Sequence, residues 1–396
     1  MAERVVPLSV LDLSPVSEGS TPAQALRNTL DLAQRCEAAG YRRYWVAEHH
    51  FAEGVASSSP AVLIAAIAAA TSVIRVGSGA VQLGHQTAAT VAEAFGTLSG
   101  LYPGRIDLGL GRSMQKRREV VKAAETAAAP AATGSGDTGW IGMAAAPDWP
   151  GGPRIVNGLL IPAHYSPAQL YKSPRFAVQA ALLQQAGAQS ADFGEQVDDI
   201  LAFLGGAFRA PSGLDVTAVP GAGADAEVWI LGSSAGQSAQ VAGALGLPFA
   251  ANYHVSPSTV LEAVDAYRAA FRPSRVLSAP HVLVSADVMV APTDDEARSL
   301  AGGYPLWVRS IRCGDGAMRF PSPDTAAAFA WTDEDRALVA DRVATQFVGS
   351  PATVAGQLRV LQGATGADEL LVTSVTHAHA DRVRSHELLA REWGLA

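Results

Sequence analysis

Five consecutive residues, Ala47-Glu48-His49-His50-Phe51, put a carboxylate, two imidazoles and an aromatic ring where the apolar run Tyr41 to Val46 stops. Imidazole takes or gives a proton near neutral pH, so His49 and His50 are candidates for acid–base work. If the run is a strand, its end holds these groups more rigidly than a free loop would. Alternation along extended backbone points the two rings to opposite faces, so one of them meets a ligand. Other unusual residues occupy similar places: Ser14, the stretch Gly77-Ser78-Gly79-Ala80, Gly111-Arg112-Ser113, Gly232-Ser233-Ser234, and His377 with His379. A hydrophobic run precedes each, which suggests one site assembled from several strand ends.

Two of these groups suit a phosphate. Phosphate is held by a guanidinium, hydroxyls and free backbone N–H groups at a helix N-terminus. Gly232-Ser233-Ser234 is expected to open a helix, and Arg112 ends a strand and carries the charge. Gly79-Ala80 is small enough for backbone to approach a flat ring closely. His377 and His379 stand at a metal-ligand spacing, but no cluster of Asp or Glu accompanies them. No metal site is expected, and a metal-dependent barrel hydrolase is kept as an alternative. Lys116-Arg117-Arg118 reads as a solvated face that can also steer an anion.

The elements that must position these groups repeat. Val5 to Leu13 is a buried strand. Thr21-Pro22 starts a helix by an N-cap followed by proline, and Gly40 ends it. Tyr41 to Val46, Ile74 to Leu83 and Arg105 to Gly109 are the next strands. Helices start at Ser59-Pro60 and run from Ala88 to Leu98. Later strands are Glu227 to Leu231, Pro248 to Tyr253, Pro280 to Val290 and Glu369 to Val375. Helices span Phe193 to Leu204, Ser233 to Leu245, Pro257 to Phe271, Asp294 to Val308 and Asp333 to Val348, and others begin at Ser350-Pro351 and Asp381. Roughly 30 residues per strand–helix unit argue for parallel strands with right-handed crossovers. Eight such strands favour a closed (β/α)8 TIM barrel over 1–396, in which the site lies at the C-terminal strand ends. An open doubly wound sheet is the alternative. Residues 113–168 break the rhythm with Ala, Gly and Pro and read as an insertion and possible lid.

Composition limits the function classes. Of 396 residues 48% are hydrophobic and 17% charged, and the net charge is -8. That gives no electrostatic basis for binding nucleic acid or an anionic membrane. No apolar run reaches the ~18 residues of a membrane span, and Met1-Ala2-Glu3-Arg4 lacks a signal-peptide pattern. Two distant cysteines, Cys36 and Cys313, fit a reduced cytoplasm.

Taken together, the segments resemble the bacterial luciferase-like flavin-dependent monooxygenases. The resemblance rests on Ala47 to Phe51, Val76-Gly77-Ser78-Gly79-Ala80-Val81, Phe95-Gly96-Thr97-Leu98, Pro103 to Arg112, Trp229 to Ser234 and Val348-Gly349-Ser350-Pro351. It covers Val5 to Arg112 well and Asp192 to Trp393 more loosely, and it omits Ser113 to about Ala191. It implies a non-proline cis peptide at Gly79-Ala80 against a flavin ring. It implies a phosphate of reduced FMN held by Arg112, Gly232, Ser233 and Ser234, and His49 as the acid/base group. It implies a homodimer with Glu48 in an intersubunit ion pair. Reduced FMN would come from a separate NAD(P)H:flavin reductase, and no Gly-x-Gly-x-x-Gly fingerprint argues for a bound nicotinamide. Oxygenation of a hydrophobic or aromatic substrate, in polyketide-like natural-product biosynthesis, is the expected reaction, with Ser14 as a substrate contact. Hydride transfer with the deazaflavin F420 is the alternative in the same fold.

Overall fold

A computed structural model describes residues 5–112, 152–165, 173–185, 187–188 and 191–395. Its strands are β1 (Leu8–Asp12), β2 (Arg43–Val46), β3 (Arg75–Ser78), β4 (Val81–Gln82), β5 (Ile106–Gly111), β6 (Arg154–Val156), β7 (Leu159–Ile161), β8 (Glu227–Gly232), β9 (Phe249–Asn252), β10 (Val282–Val290), β11 (Phe347–Gly349) and β12 (Glu369–Thr373). Eight of them pair in parallel in the order β1-β2-β3-β5-β8-β9-β10-β12. The pairing of Leu8 with Leu370 and Val10 with Val372 then closes β12 onto β1. The result is a (β/α)8 barrel, and the open sheet is excluded.

The closure follows from the residue pattern. Strands buried on both faces read as continuous apolar runs, and all nine residues of β10 are buried. One side of the wall fills the lumen with Leu11, Trp45, Trp229, Ala250, Leu283 and Leu371. The other side packs on the helices in one large core that includes Val10, Tyr44, Val76, Leu108 and Ile230. At Gly109 an added Cβ would lie 2.1 Å from the Ser78 carbonyl oxygen, so β3 and β5 meet there only through glycine.

The helix starts are largely as expected. Thr21 accepts the Gln24 N–H at 3.2 Å ahead of the helix Pro22–Ala38. Ser350 caps Pro351–Thr365 likewise, whereas Ser59 makes no side-chain cap ahead of Pro60–Ala70.

Several boundaries differ. The strand expected over 74–83 is broken, because β3 ends at Ser78 and a cis Gly79-Ala80 peptide precedes β4. The helix expected through Val348 is Asp333–Ala344, and Phe347–Gly349 instead extends the sheet beside β10. Within 113–168, β6 and β7 form an antiparallel hairpin. Its turn is Asn157-Gly158, both at positive φ, and that dipeptide was a legible hairpin signal. Residues 113–151 and 166–172, including Lys116-Arg117-Arg118, lie outside the described residues.

A buried ion network closes the N-terminal end of the barrel. Arg43 contacts Asp107 at 2.8 Å, Glu369 at 3.0 Å and Glu227 at 3.2 Å, and its guanidinium lies 4.8 Å from the Trp229 ring. Arg75 adds a second cation to Asp107 and Glu227. Arg43, Arg75, Glu227 and Glu369 are the first residues of their strands and Asp107 is the second of β5, opposite the end where the candidate site lies.

Candidate active site at the C-terminal mouth

The backbone turns sharply after β2, with the Phe51 φ at 57° and the His49 N–H donating to the Ser57 carbonyl at 2.9 Å. This separates the two histidines as the alternation argument expected. His49 is reached by solvent although protein surrounds it. That enclosure, and then the nearby His50, hold its pKa below the ordinary histidine value against the pull of Glu48. His49 is therefore a neutral base at pH 7.

His50 points elsewhere. Its Nε2 lies 2.8 Å from Glu48 Oε1, and His85 Nε2 lies 2.7 Å from the same oxygen. The Gln82 N–H donates to Glu48 Oε2 at 2.8 Å. Burial alone would raise the Glu48 carboxyl, but these hydrogen bonds override it and hold the pKa down at about 2. Glu48 is thus buried inside its own chain, which corrects its expected place in an intersubunit ion pair. Glu48, His50 and His85 put ligand atoms within 4.8 Å of one another. The contacts of 2.7 and 2.8 Å are hydrogen bonds that already fill the carboxylate. His85 is a member of this cluster that the sequence reading missed, because it follows β4 rather than a strand of the barrel wall.

The opposite wall carries a group that the sequence reading also missed. His254 follows β9, and its Nδ1 lies 2.6 Å from Ser285 Oγ on β10. Asp287, further along β10, accepts from Tyr304 and from Arg342 Nη2 at 3.1 Å. Burial is the main reason that His254 is held down at about 4.

At the mouth between β5 and β8, Arg112 directly follows β5 and its guanidinium lies 5.9 Å from the Phe193 ring. The neighbouring strand β8 ends at Gly232, followed by Ser233 and Ser234, both half-buried. The helix after them is Gln237–Ala244, so the serines lie in the bend before it and do not cap it. Its N-cap is Gly236, with no side-chain cap. Asp192 joins this corner, accepting from Gln237 Nε2 at 2.6 Å and from the Gly194 N–H at 2.7 Å. Burial opposes ionisation of Asp192, but those bonds and Arg112 lower its pKa.

The Gly79-Ala80 peptide is cis, as the resemblance implied. An added Cβ on Gly111 would stand 3.2 Å from the Ala80 Cβ, so glycine permits the bulge to sit against β5. Ser14 is not available to a substrate. It is fully buried, with its Oγ accepting from Thr29 at 2.7 Å and its N–H donating to Asp12 at 2.7 Å. His377 and His379 diverge. His377 Nε2 lies 3.1 Å from the Glu18 carbonyl oxygen and His379 Nε2 lies 2.8 Å from Asp31. That removes the pair on which the hydrolase alternative rested.

Described residues of 152–165 and 173–184 border the mouth. Tyr253 OH donates to the Leu160 carbonyl at 2.6 Å, the Arg312 guanidinium lies 3.8 Å from the Tyr165 ring, and Arg175 donates to the Phe51 carbonyl at 2.6 Å.

The chain is similar to known proteins along most of its length. The model of the luciferase-like monooxygenase family matches residues 6–133 and 188–368. A luciferase-like monooxygenase of Escherichia coli (strain K12) is 32% identical over 388 residues, 98% of this chain and 97% of the relative. An N-acetyl-S-alkylcysteine monooxygenase of Bacillus subtilis (strain 168) is 50% identical over 109 residues, 28% of this chain and 33% of that protein. The crystal structure of apo-MsnO8 is 34% identical with a TM-score of 0.74, covering 99% of this chain and 98% of that one. More distant structures share the fold alone. One is the oxygenating constituent of 3,6-diketocamphane monooxygenase from Pseudomonas putida in complex with FMN (20% identity, TM-score 0.61, covering 98% of this chain and 97% of that one). Another is an F420-dependent secondary alcohol dehydrogenase (12%, TM-score 0.59, covering 98% and 99%). The chain belongs to the luciferase-like monooxygenase family.

Proposed function

We propose that this protein is an FMN-dependent monooxygenase that receives reduced FMN from a separate NAD(P)H-dependent reductase and oxygenates a hydrophobic organic substrate. The supporting observation is the corner formed by Arg112, Ser233, Ser234 and the helix Gln237–Ala244, which starts without a side-chain cap. A guanidinium, two hydroxyls and uncapped N–H groups together fit a phosphate. Bound there, FMN supplies the oxygen chemistry. The chain's residues do the rest. Tyr165 and Arg175 wall the mouth, and His49 moves the proton. The exposed Phe51 and the Tyr165 ring at the mouth suit a hydrophobic or aromatic substrate, a natural-product intermediate among them. A thioether such as an N-acetyl-S-alkylcysteine belongs in the first substrate panel, because a partial relative acts on that class.

The test is cofactor affinity. A charge-assisted hydrogen bond contributes about 1.5–3 kcal/mol. Arg112→Ala should weaken reduced FMN binding about tenfold or more and leave riboflavin binding nearly unchanged. Equal losses for both would remove the phosphate assignment. Tighter binding of F420 than of reduced FMN, with no oxygen consumption, would favour the hydride-transfer alternative.

Assembly gives a second test. The helix Pro60–Ala70 turns Leu63, Ile64 and Ile67 into its own core but leaves Val62 exposed, and Val73 and Leu101 are exposed nearby. A homodimer through this face is expected in light scattering at micromolar concentration. A monomer there would contradict it.

A further inference from the structure

The barrel order places β2 and β9 four positions apart in a ring of eight, so they stand on opposite walls. His49 lies three residues beyond the end of β2, and His254 two beyond the end of β9. All eight strands are parallel, so both residues lie at the same C-terminal mouth. We propose that His254 is a second ligand-contacting group of the active site, presenting its Nε2 to the bound flavin or substrate from the wall facing His49. The inference rests on the functional reading above.

Three features support this role. The contact at 2.6 Å with Ser285 Oγ occupies Nδ1 and fixes the ring, which leaves Nε2 for a ligand. Second, Asp287, Arg342 and Tyr304 form a closed group beside it, since Tyr304 and Arg342 both spend donors on Asp287. They act on His254 only through their field. Third, the groups whose charge acts on the ring are Asp287, which favours its cation, and Arg342, which opposes it, as His49 does once protonated. Burial exceeds all of these, so the ring stays neutral down to about pH 4. His254 therefore offers the same hydrogen bond across the working range, while His49, held below the ordinary histidine pKa, is the neutral base that can take a proton. One wall moves a proton and the other holds a polar atom in place, the division that a positioned acid–base pair requires.

The experiment uses the full chain loaded anaerobically with reduced FMN, with histidine ring nitrogens followed by NMR. On loading, the His49 and His254 signals should both shift, while those of His281 and His377 stay in place. On admitting oxygen, His254→Asn should change the rate of flavin reoxidation by about tenfold or more. That factor should be constant between about pH 6 and 9, because the parent ring is neutral throughout. The affinity of this variant for reduced FMN should stay within about threefold of the parent, since Arg112 anchors the phosphate. Ser285→Ala frees the ring without removing it, and should give a smaller change in the same direction. If the parent binds reduced FMN but its His254 signal does not move and His254→Asn reoxidises at the parent rate, this inference is overturned and the functional reading stands. If the parent does not bind reduced FMN, both fall.

Discussion

Replacing His49 with alanine is expected to leave a folded protein that binds reduced FMN and consumes oxygen but releases hydrogen peroxide in place of oxygenated product. The fold should survive because His49 packs in no core cluster and is reached by solvent. Flavin binding should survive because the phosphate corner is built on β5 and β8, away from β2. Proton handling should not survive. A positioned acid/base group contributes about 10²–10⁴-fold, so product formed per oxygen consumed should fall by a factor in that range. The pH profile adds a check with a definite sign. Enclosure and His50 lower the His49 pKa, so the neutral base is present at pH 7 and is lost only as pH falls through a value below the ordinary histidine pKa. Coupling in the parent should drop on that acid limb, and His49→Ala should lack the limb. His50→Ala should couple better than His49→Ala, since its ring is held by Glu48 away from the mouth, but it should lower stability by breaking that cluster. The measurement is product per peroxide for both variants with the thioether and aromatic panel. Parent-like coupling in His49→Ala would falsify the assignment.

The largest stability effect is expected at Arg43. Its side chain is 1% exposed, and its partners Asp107 and Glu369 are 0% and 1% exposed. Glu227 completes the set, and Arg75 is the other cation in contact with Asp107 and Glu227. Arg43→Met keeps much of the volume but leaves three carboxylates with only the partly exposed Arg75 and the solvent-exposed Arg42, which reaches Glu369 at 3.6 Å. Removing one partner of a buried ion pair costs about 3–5 kcal/mol, because the remaining charge is left uncompensated in a poorly solvated place. A denaturant titration should show that loss. Arg43→Lys should fall between the two, since a single ammonium cannot reach all three acids as the planar fork does. The network lies at the N-terminal end of the barrel, so the activity per folded molecule should be nearly unchanged. A loss under about 1 kcal/mol in Arg43→Met would mean the network is not carrying the barrel floor. A loss of coupling at unchanged stability would mean that the floor communicates with the mouth.

Much of this protein is written in local chemistry that a sequence displays directly. Apolar runs such as Val282 to Val290 specify strands buried on both faces, and the Thr21-Pro22 and Ser350-Pro351 pairs specify helix starts through caps three residues long. Gly79-Ala80 marks the place where the wall must yield, because only small residues allow the bulge against Gly111. These signals reach over a few residues, so no tertiary information is needed to read them. The serines after β8 show the limit even of local reading, since a helix was expected at Ser233 and the chain delays it to Gln237. The roles of the site residues belong to the tertiary structure. His50 is withdrawn from the mouth by Glu48, and the second imidazole on that carboxylate comes from His85, 37 residues further on. Ser14 looks free in sequence, but Thr29 on the next helix takes its hydroxyl out of reach. Arg43 finds its acids 64, 184 and 326 residues away. His254 faces His49 only because ring closure sets β9 across from β2. Hydrogen-bond partners and electrostatic fields act across a few ångströms of space, and barrel closure determines which distant residues share that space.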